Sequence, residues 1–246
     1  MRNGPLRVLS VVLSLVTEIE RIHQAYARRD ASGKARVYSP LTPAGLFTFQ
    51  ERERALLTAL SGIAGDPSRF AQLRVLDVGC GTGGLLQDLV RYGATPSNLC
   101  GVELLESRVR EARARYPHID IRCGNAEGLA FADETFDLVL CFTLFDTIID
   151  PATRARVSSE ILRVLVPRGY VLWYDFLWEN PKNPDVRKVS RREIAYLFDN
   201  CDHRLRRVTL APPITRLIAP RSWLLASLLG KLPFLCTHYV GIIQKN

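Results

Sequence analysis

The sequence predicts an α/β fold built on a mostly parallel sheet. Two observations carry this. From residue 74 onward, short apolar runs alternate with helical stretches, the pattern of strands joined by crossover helices. The first of those runs ends in a glycine-rich turn, Gly79-Cys-Gly-Thr-Gly-Gly84, which opens a helix. The 246 residues leave room for one large domain or two small ones, and 47% hydrophobic with 24% charged residues supports an ordered core.

Residues 1–70 read as a helical N-terminal segment ahead of an α/β domain at 71–246. Leu6 to Val16 is apolar apart from Ser10 and Ser14. That run is well short of the ~20 residues that span a bilayer, and no small-x-small cleavage site follows it. It reads as an ordered, partly buried helix, with membrane-surface contact by residues 6–16 as the second reading. Asp30-Ala-Ser-Gly33 breaks this helix, and Tyr38 to Pro43 is a loop. Thr42 can cap the next helix with Pro43 at its first position, and that helix runs to about Gly62.

The α/β part follows in order. Strands are expected at Arg74–Val78, Asn98–Glu103, Ile119–Cys123 and Phe136–Phe142, the last apolar enough to be buried on both faces. Between them lie helices Leu85–Tyr92 and Glu106–Tyr116, the second stopped by Pro117. Asp150 caps a helix beginning at Pro151 and running to Val166. Pro167-Arg-Gly169 turns it into strand Tyr170–Phe176. Ser190-Arg-Arg-Glu193 is a capping box opening a helix to Phe198. Arg206–Leu210 is a sixth strand and Val240–Ile243 a seventh. The stretch between them, 212–235, is too long for a hairpin turn and holds the apolar run Trp223 to Leu229. If the last strand is reversed, 212–235 caps the sheet edge where the parallel strands end, the edge at which such sheets bind ligands.

Composition narrows the function classes. The six cysteines lie far apart with no CxxC pair, so a zinc ribbon or dithiol motif has no support and no metal is expected. Cys80, Cys100 and Cys141 fall in or beside strand-like runs, which suits buried thiols in a reducing, cytoplasmic setting. The net charge is +8, from 28 Arg and 5 Lys against 25 acidic residues. The arginines spread along the chain, and the densest group, Arg108, Arg110, Arg113 and Arg115, reads as a solvated helix face. Nucleic acid is therefore not the expected partner. A small-molecule acceptor is.

The glycine turn fits the dinucleotide fingerprint, yet the residue two before it is Asp77. A carboxylate at the strand tip would repel a pyrophosphate placed on the helix and would suit a ligand with an amino group. S-adenosylmethionine carries such an ammonium and no phosphate. Glu103, at the end of the second strand, can accept both ribose hydroxyl hydrogens.

Val75-Leu-Asp-Val-Gly-Cys-Gly-Thr-Gly83 resembles the glycine-rich motif of class I S-adenosylmethionine-dependent methyltransferases. Gly124-Asn-Ala-Glu-Gly-Leu-Ala-Phe131 with Asp133-Glu-Thr-Phe-Asp-Leu-Val139 is similar to that family's adenine-side motif and fourth strand. Leu162 to Val171 is similar to the helix, turn and strand that follow. The resemblance covers about 74–176. It implies a Rossmann-like, seven-stranded, mostly parallel sheet with the last strand reversed. It implies Asp77, Gly79, Gly81 and Gly83 near the methionyl group of the cofactor, Glu103 at the ribose, and Asn125 and Ala126 at adenine; Leu104 and Phe142 are further candidate cofactor contacts. The family usually has Asp where Asn125 stands; an Asn oxygen can still accept from the adenine amino group. The N-terminal segment in this fold often closes over the cofactor as a lid.

Methyl transfer to a hydroxyl needs a group that orients the acceptor and takes its proton. Asp175, ending the fifth strand, and His238, near the start of the last one, are the candidate catalytic residues. Tyr38, Asp146, Trp178 and Asn180 are the candidate substrate contacts. The expected activity is methylation, chiefly at oxygen, of a sugar or natural-product acceptor. The competing readings are an RNA or protein methyltransferase and a non-catalytic cofactor-binding relative.

Overall fold

The computed structural model describes residues 18–29, 39–179 and 183–246. The expectations for 6–16, for the helix break at 30–33, and for Tyr38 and Asn180 lie outside the described residues.

Residues 18–29 form helix α1. Thr42 accepts from the Gly45 amide and Pro43 occupies the first turn of α2 (Pro43–Ala64). This helix passes the expected end at Gly62 and stops at Gly65, whose φ of 78° is open to glycine at no steric cost. A short helix, α3 (Pro67–Gln72), follows, capped by Asp66. The sequence signal for it was present, since Asp66-Pro67 repeats the cap-then-proline pattern of Thr42-Pro43.

The sheet has seven strands in the order β3-β2-β1-β4-β5-β7-β6. They are β1 (Val75–Val78), β2 (Leu99–Glu103), β3 (Asp120–Cys123), β4 (Phe136–Phe142), β5 (Leu165–Phe176), β6 (Cys201–Leu210) and β7 (Cys236–Lys245). The first five pair in parallel, and β7 runs antiparallel to both β5 and β6. Intervening helices are α4 (Gly84–Arg91), α5 (Glu106–Arg115), α6 (Pro151–Val164), α7 (Arg191–Leu197), α8 (Pro212–Ile218) and α9 (Trp223–Leu229).

Side chains alternate across the sheet with period two. Val75, Leu138, Leu140 and Leu172 face one core with α2, α4 and α5. Leu76, Val139, Cys141, Val171 and Trp173 face the other, with α6 and α7. A third, small cluster joins Phe47 of α2 to Leu210, Ala219 and Ala226. Among the described residues no helix is long and apolar enough to cross a membrane.

Several boundaries differ from expectation. The helix expected to reach Val166 ends at Val164, and β5 begins at Leu165 rather than Tyr170. Leu165 pairs with Phe136 and Tyr170 with Leu138, so Pro167-Arg-Gly169 bulges out of a continuing strand, with Arg168 at φ 63°. β6 begins five residues earlier than predicted, at Cys201; as an edge strand it shows solvent a row of charged side chains that hides its alternation. β7 extends from Cys236 to Lys245, along β6 and along Tyr170–Phe176 of β5.

Candidate active site

Parallel strands β1, β2 and β4 end at one sheet edge, and a cleft of about 650 Å³, its open mouth included, lies along it. Gly79, Val102, Glu103, Leu104, Gly124, Asn125, Ala126 and Glu127 form one wall. Thr143, Leu144, Thr147 and Ile148, from the segment after β4, form another. The cleft thus brings together Gly79, Glu103, Leu104, Asn125 and Ala126 of the sequence-predicted set.

The turn between β1 and α4 holds Gly79, Gly81 and Gly83 at φ values of 77°, 57° and 80°. A Cβ on Gly83 would meet Ile121 Cδ1 and Tyr116 Cδ2 at 3.1 Å, and one on Gly79 would meet Leu144 Cδ1 at 3.0 Å. Glycine there allows both the left-handed backbone and the close packing. The turn is tied to β2: Gly79 N and Cys80 N donate to Val102 O, and Gly81 N donates to Glu103 Oε2 at 2.9 Å. Glu103 Oε1 accepts from Leu105 N at 3.0 Å. Glu103 therefore fixes the glycine turn as well as facing the cleft, and each oxygen retains a further lone pair.

Asp77 sits beneath this turn, 2% exposed, between Gly101 of β2 and Leu140 of β4 in register. Burial, and then the Glu103 carboxylate, push it up to about 7. No described residue donates a hydrogen bond to it. A buried carboxylate without a donor is costly.

Asn125 forms an Asx turn, with Oδ1 accepting from Glu127 N at 3.0 Å and Nδ2 donating to Glu127 Oε1 at 3.3 Å. Glu127 is in turn paired with Arg156 at 2.5 Å.

The cleft has a cover from the N-terminal segment, made by residues the sequence did not single out. Glu18, Ile19, Ile22 and Tyr26 of α1 line it. Their i, i+3, i+7 spacing in Ile19, Ile22 and Tyr26 was the available signal for an inward helix face. Glu18 accepts from Ile149 N at 2.7 Å and pairs with Arg21, which also donates to Thr147 O. Arg108 lies over the Tyr26 ring at 4.1 Å from its centroid. No cleft-lining residue comes from 212–235. That stretch instead packs beside the start of α2, where Phe47 meets Trp223 edge-on at 5.0 Å.

The expected acid–base residues separate onto opposite faces of the sheet. Asp175 is fully buried, its Oδ2 accepting from Phe145 N and Asp146 N at 2.9 and 3.2 Å and its Oδ1 from Phe176 N at 3.0 Å. It holds the start of the loop after β4, a positioning role in place of the expected acceptor contact. Burial and then Asp146 raise Asp175 well above the usual carboxylate range. Asp146 is also buried and is raised to about 6 by its own desolvation, against the pull of Arg29 and Arg154. One oxygen of Asp146 is buried without a partner, and the residue lies outside the cleft lining.

His238 stands on the α2 face in an aromatic row. Its ring stacks on Tyr174 at 4.6 Å and leans on Phe176 at 4.0 Å, and Tyr174 stacks on Phe142 at 5.4 Å. Phe142 thus joins this row rather than the cleft. Thr237 donates its one hydroxyl hydrogen to Thr209 O, so in the 3.0 Å contact with His238 Nδ1 the hydroxyl accepts. Nδ1 carries the proton and Nε2 keeps a lone pair. Burial, and then Arg52, push His238 down to about 3. The unfolded chain then binds more protons than the folded one between about pH 3 and 6.5, and His238 makes stability fall as pH drops through that window. An imidazole NMR titration is expected to show His238 unprotonated at pH 5, and His238→Gln is expected to flatten that part of the acid destabilisation.

Trp178 is half exposed after β5, its indole donating to Cys236 O at 3.1 Å, and with Ala211, Ile214, Phe234, Leu235, Cys236 and Thr237 it lines a second groove.

Residues 75–169 match the family model described as a methyltransferase domain. Over 137 residues the chain is 34% identical to a phthiotriol/phenolphthiotriol dimycocerosates methyltransferase of Mycobacterium ulcerans, covering 49% of this chain and 47% of that one. Over 138 residues it is 33% identical to a ubiquinone biosynthesis O-methyltransferase of Parvibaculum lavamentivorans, covering 54% and 52%. The chain spans about half the length of the curated relatives it matches. A crystal structure of an S-adenosylmethionine-dependent methyltransferase from Mesorhizobium loti superposes with a TM-score of 0.55 over 78% of this chain and 98% of that one, at 17% identity, and one from Archaeoglobus fulgidus with 0.54 over 82% and 99%, at 17%. With the matched block, the strand order and the reversed β7 taken together, residues 75–169 of this chain form a methyltransferase domain, in a sheet that superposes on those of S-adenosylmethionine-dependent methyltransferases.

Proposed function

We propose that the protein transfers a methyl group from S-adenosylmethionine to a hydroxyl of a small organic acceptor of natural-product type. The observation that carries this reading is Asp77, a buried carboxylate with no donor from the described residues, beneath a glycine turn and beside the cleft. The residues present fit the cofactor. Asp77 would hold its amino group, the amides of Gly79 to Gly83 its carboxylate, Glu103 its ribose, and Asn125 with Ala126 its adenine. When bound, the cofactor supplies an electrophilic methyl group that needs no further activation.

The chain's own residues supply the rest. Ile19, Ile22 and Tyr26 shield the cleft from water. On the sheet face carrying Phe142, Tyr174 and Phe176, the Nε2 lone pair of neutral His238 would accept a hydrogen bond from a substrate hydroxyl and orient it, too weak a base to take its proton. The apolar second groove, with Trp178 at its rim, supports an apolar scaffold over a sugar. Relatives named for ubiquinone biosynthesis O-methylation point the same way.

Titration calorimetry with S-adenosylhomocysteine tests the cofactor half, and heat of binding at one site per chain is expected. Transfer of a labelled methyl group to a panel of phenols and aliphatic alcohols, but not to amines, is expected for the acceptor half. An absence of cofactor heat ends the proposal.

A further inference from the structure

We propose that the surface formed by residues 212–234 docks this protein onto an anionic bilayer. Every exposed residue from 213 to 234 is apolar or basic. Leu224, Leu225 and Leu228 of α9 point outward, Leu224 at 72% exposure, while only Ala226 of that helix is buried. Leu217 of α8 and Phe234, 66% exposed, extend the same apolar surface. Isolated exposed leucines are ordinary, but this many within one short stretch mark an interaction surface.

The charge around it selects the occupant. Arg216, Arg221 and Lys231 are exposed and form no salt bridge with any described residue. No acidic residue occurs from 203 to 246. A second copy meeting this face in a twofold dimer would set like charges against like. A nucleic acid would leave the leucines against water. An anionic headgroup layer over hydrocarbon satisfies both the basic and the apolar side chains, as amphipathic interfacial elements do. Both ends of the segment, Leu210 and Cys236, lie at the same sheet edge and pair with each other, so docking there leaves the rest of the sheet free. The groove of Trp178, Ile214, Phe234 and Leu235 opens beside this surface. Its consequence rests on the proposed activity: an apolar acceptor could pass from the bilayer toward His238 without crossing water.

The test is sedimentation of the full chain with phosphatidylcholine vesicles and with vesicles containing phosphatidylglycerol, at low and high salt. Pelleting with the anionic vesicles only, and its loss at high salt, is expected. Reversing Arg216, Arg221 and Lys231 to Glu is expected to weaken the interaction at least about 100-fold, since each basic residue near such a surface contributes roughly fivefold. Leu224→Glu with Leu228→Glu is expected to reduce pelleting to the phosphatidylcholine level, with the thermal midpoint kept. Equal binding to both vesicle types, variants that pellet like the unaltered chain, or a solution dimer dissolved by the leucine substitutions would overturn the proposal. Titration of S-adenosylhomocysteine on the same samples separates the two readings: a chain that pellets but takes up no cofactor retains the docking surface and loses the methyl-transfer function.

Discussion

Asp77→Asn is expected to weaken S-adenosylhomocysteine binding by at least about 100-fold while raising the thermal midpoint of the ligand-free protein at pH 8. The opposite signs come from one cause. In the ligand-free chain the Asp77 carboxyl is buried, faces Glu103, and titrates near 7 rather than 3.8. The folded state then holds the proton more tightly than the unfolded one between those values, so the residue costs stability as pH rises from 4 to 7, and the full cost is present above 7. About three pKa units at about 1.4 kcal/mol each set an upper bound of roughly 4 kcal/mol, and relaxation around the charge leaves about half of it. Asparagine keeps the shape and removes the charge, so a gain of several degrees is expected, at about 2–4 °C per kcal/mol for a chain of this size. The cofactor's ammonium would lose its buried counter-charge, and breaking such a pair by removing one partner costs about 3–5 kcal/mol. In the unaltered protein affinity should rise with pH and level off above about 8 as Asp77 gives up its proton. In the variant that slope should vanish. Calorimetry from pH 6 to 9 and melting curves on the same samples measure both effects. An unchanged affinity would remove Asp77 from the site, and a lowered midpoint would give it a structural role instead.

How much of this was legible in the sequence depended on burial. β1, β2 and β4 are covered on both faces, and a strand covered on both faces must be a nearly continuous apolar run, which is what Val75–Val78 and Phe136–Phe142 show. The first half of β6 is an edge, and its inward residues Cys201, His203 and Leu205 are separated by Asp202, Arg204 and Arg206, so only its pairing with β7 reveals it. α8 begins with Pro212-Pro213 after Ala211, which offers no capping side chain, and so nothing in the sequence marks its start. At the site, Asp77 and Glu103 were readable because a fixed spacing ties them to the glycine turn. Ile19, Ile22 and Tyr26 reach the cleft from more than fifty residues before that turn, and nothing local announces where α1 will lie. Asp175 shows the remaining limit. The sequence places an acid at the end of a strand. Whether it faces a ligand or the backbone is decided by the amides of Phe145 and Asp146, left without ladder partners where β4 ends.

The loop those amides begin is held from its far side by Arg154, and Arg154→Met is expected to destabilise the protein by about 3–5 kcal/mol. Arg154 is fully buried on α6. Its Nε donates to Ile148 O at 2.6 Å, its Nη1 pairs with Glu193, and its Nη2 donates to Arg187 O at 3.2 Å. One guanidinium thereby ties the loop after β4, the segment leading to α7, and the first turn of α7. Its planar fork serves three acceptors at once, which a lysine ammonium on a single flexible stem does not reproduce. Methionine fills most of the volume but leaves the buried Ile148 carbonyl, the part-buried Arg187 carbonyl and the Glu193 carboxylate without this donor, at about 1–3 kcal/mol for a buried unsatisfied group. A fall in thermal midpoint of roughly 6–20 °C follows. The effect should reach the cleft, because Leu144, Thr147 and Ile148 line it and Ile148 O is one of the three acceptors. Cofactor affinity should weaken severalfold even though Arg154 touches no part of the cleft. Glu193 offers the discriminating comparison. Its backbone amide donates to Ser190 Oγ, so Glu193→Gln keeps the helix cap and removes only the charge of the pair. Because the glutamine Oε1 still accepts from Arg154 Nη1, it should cost clearly less than Arg154→Met and leave cofactor binding unchanged. If Glu193→Gln proved as damaging as Arg154→Met, the ion pair and not the two carbonyl bonds would be what holds the loop, and the link from Arg154 to the cleft through Ile148 would fail.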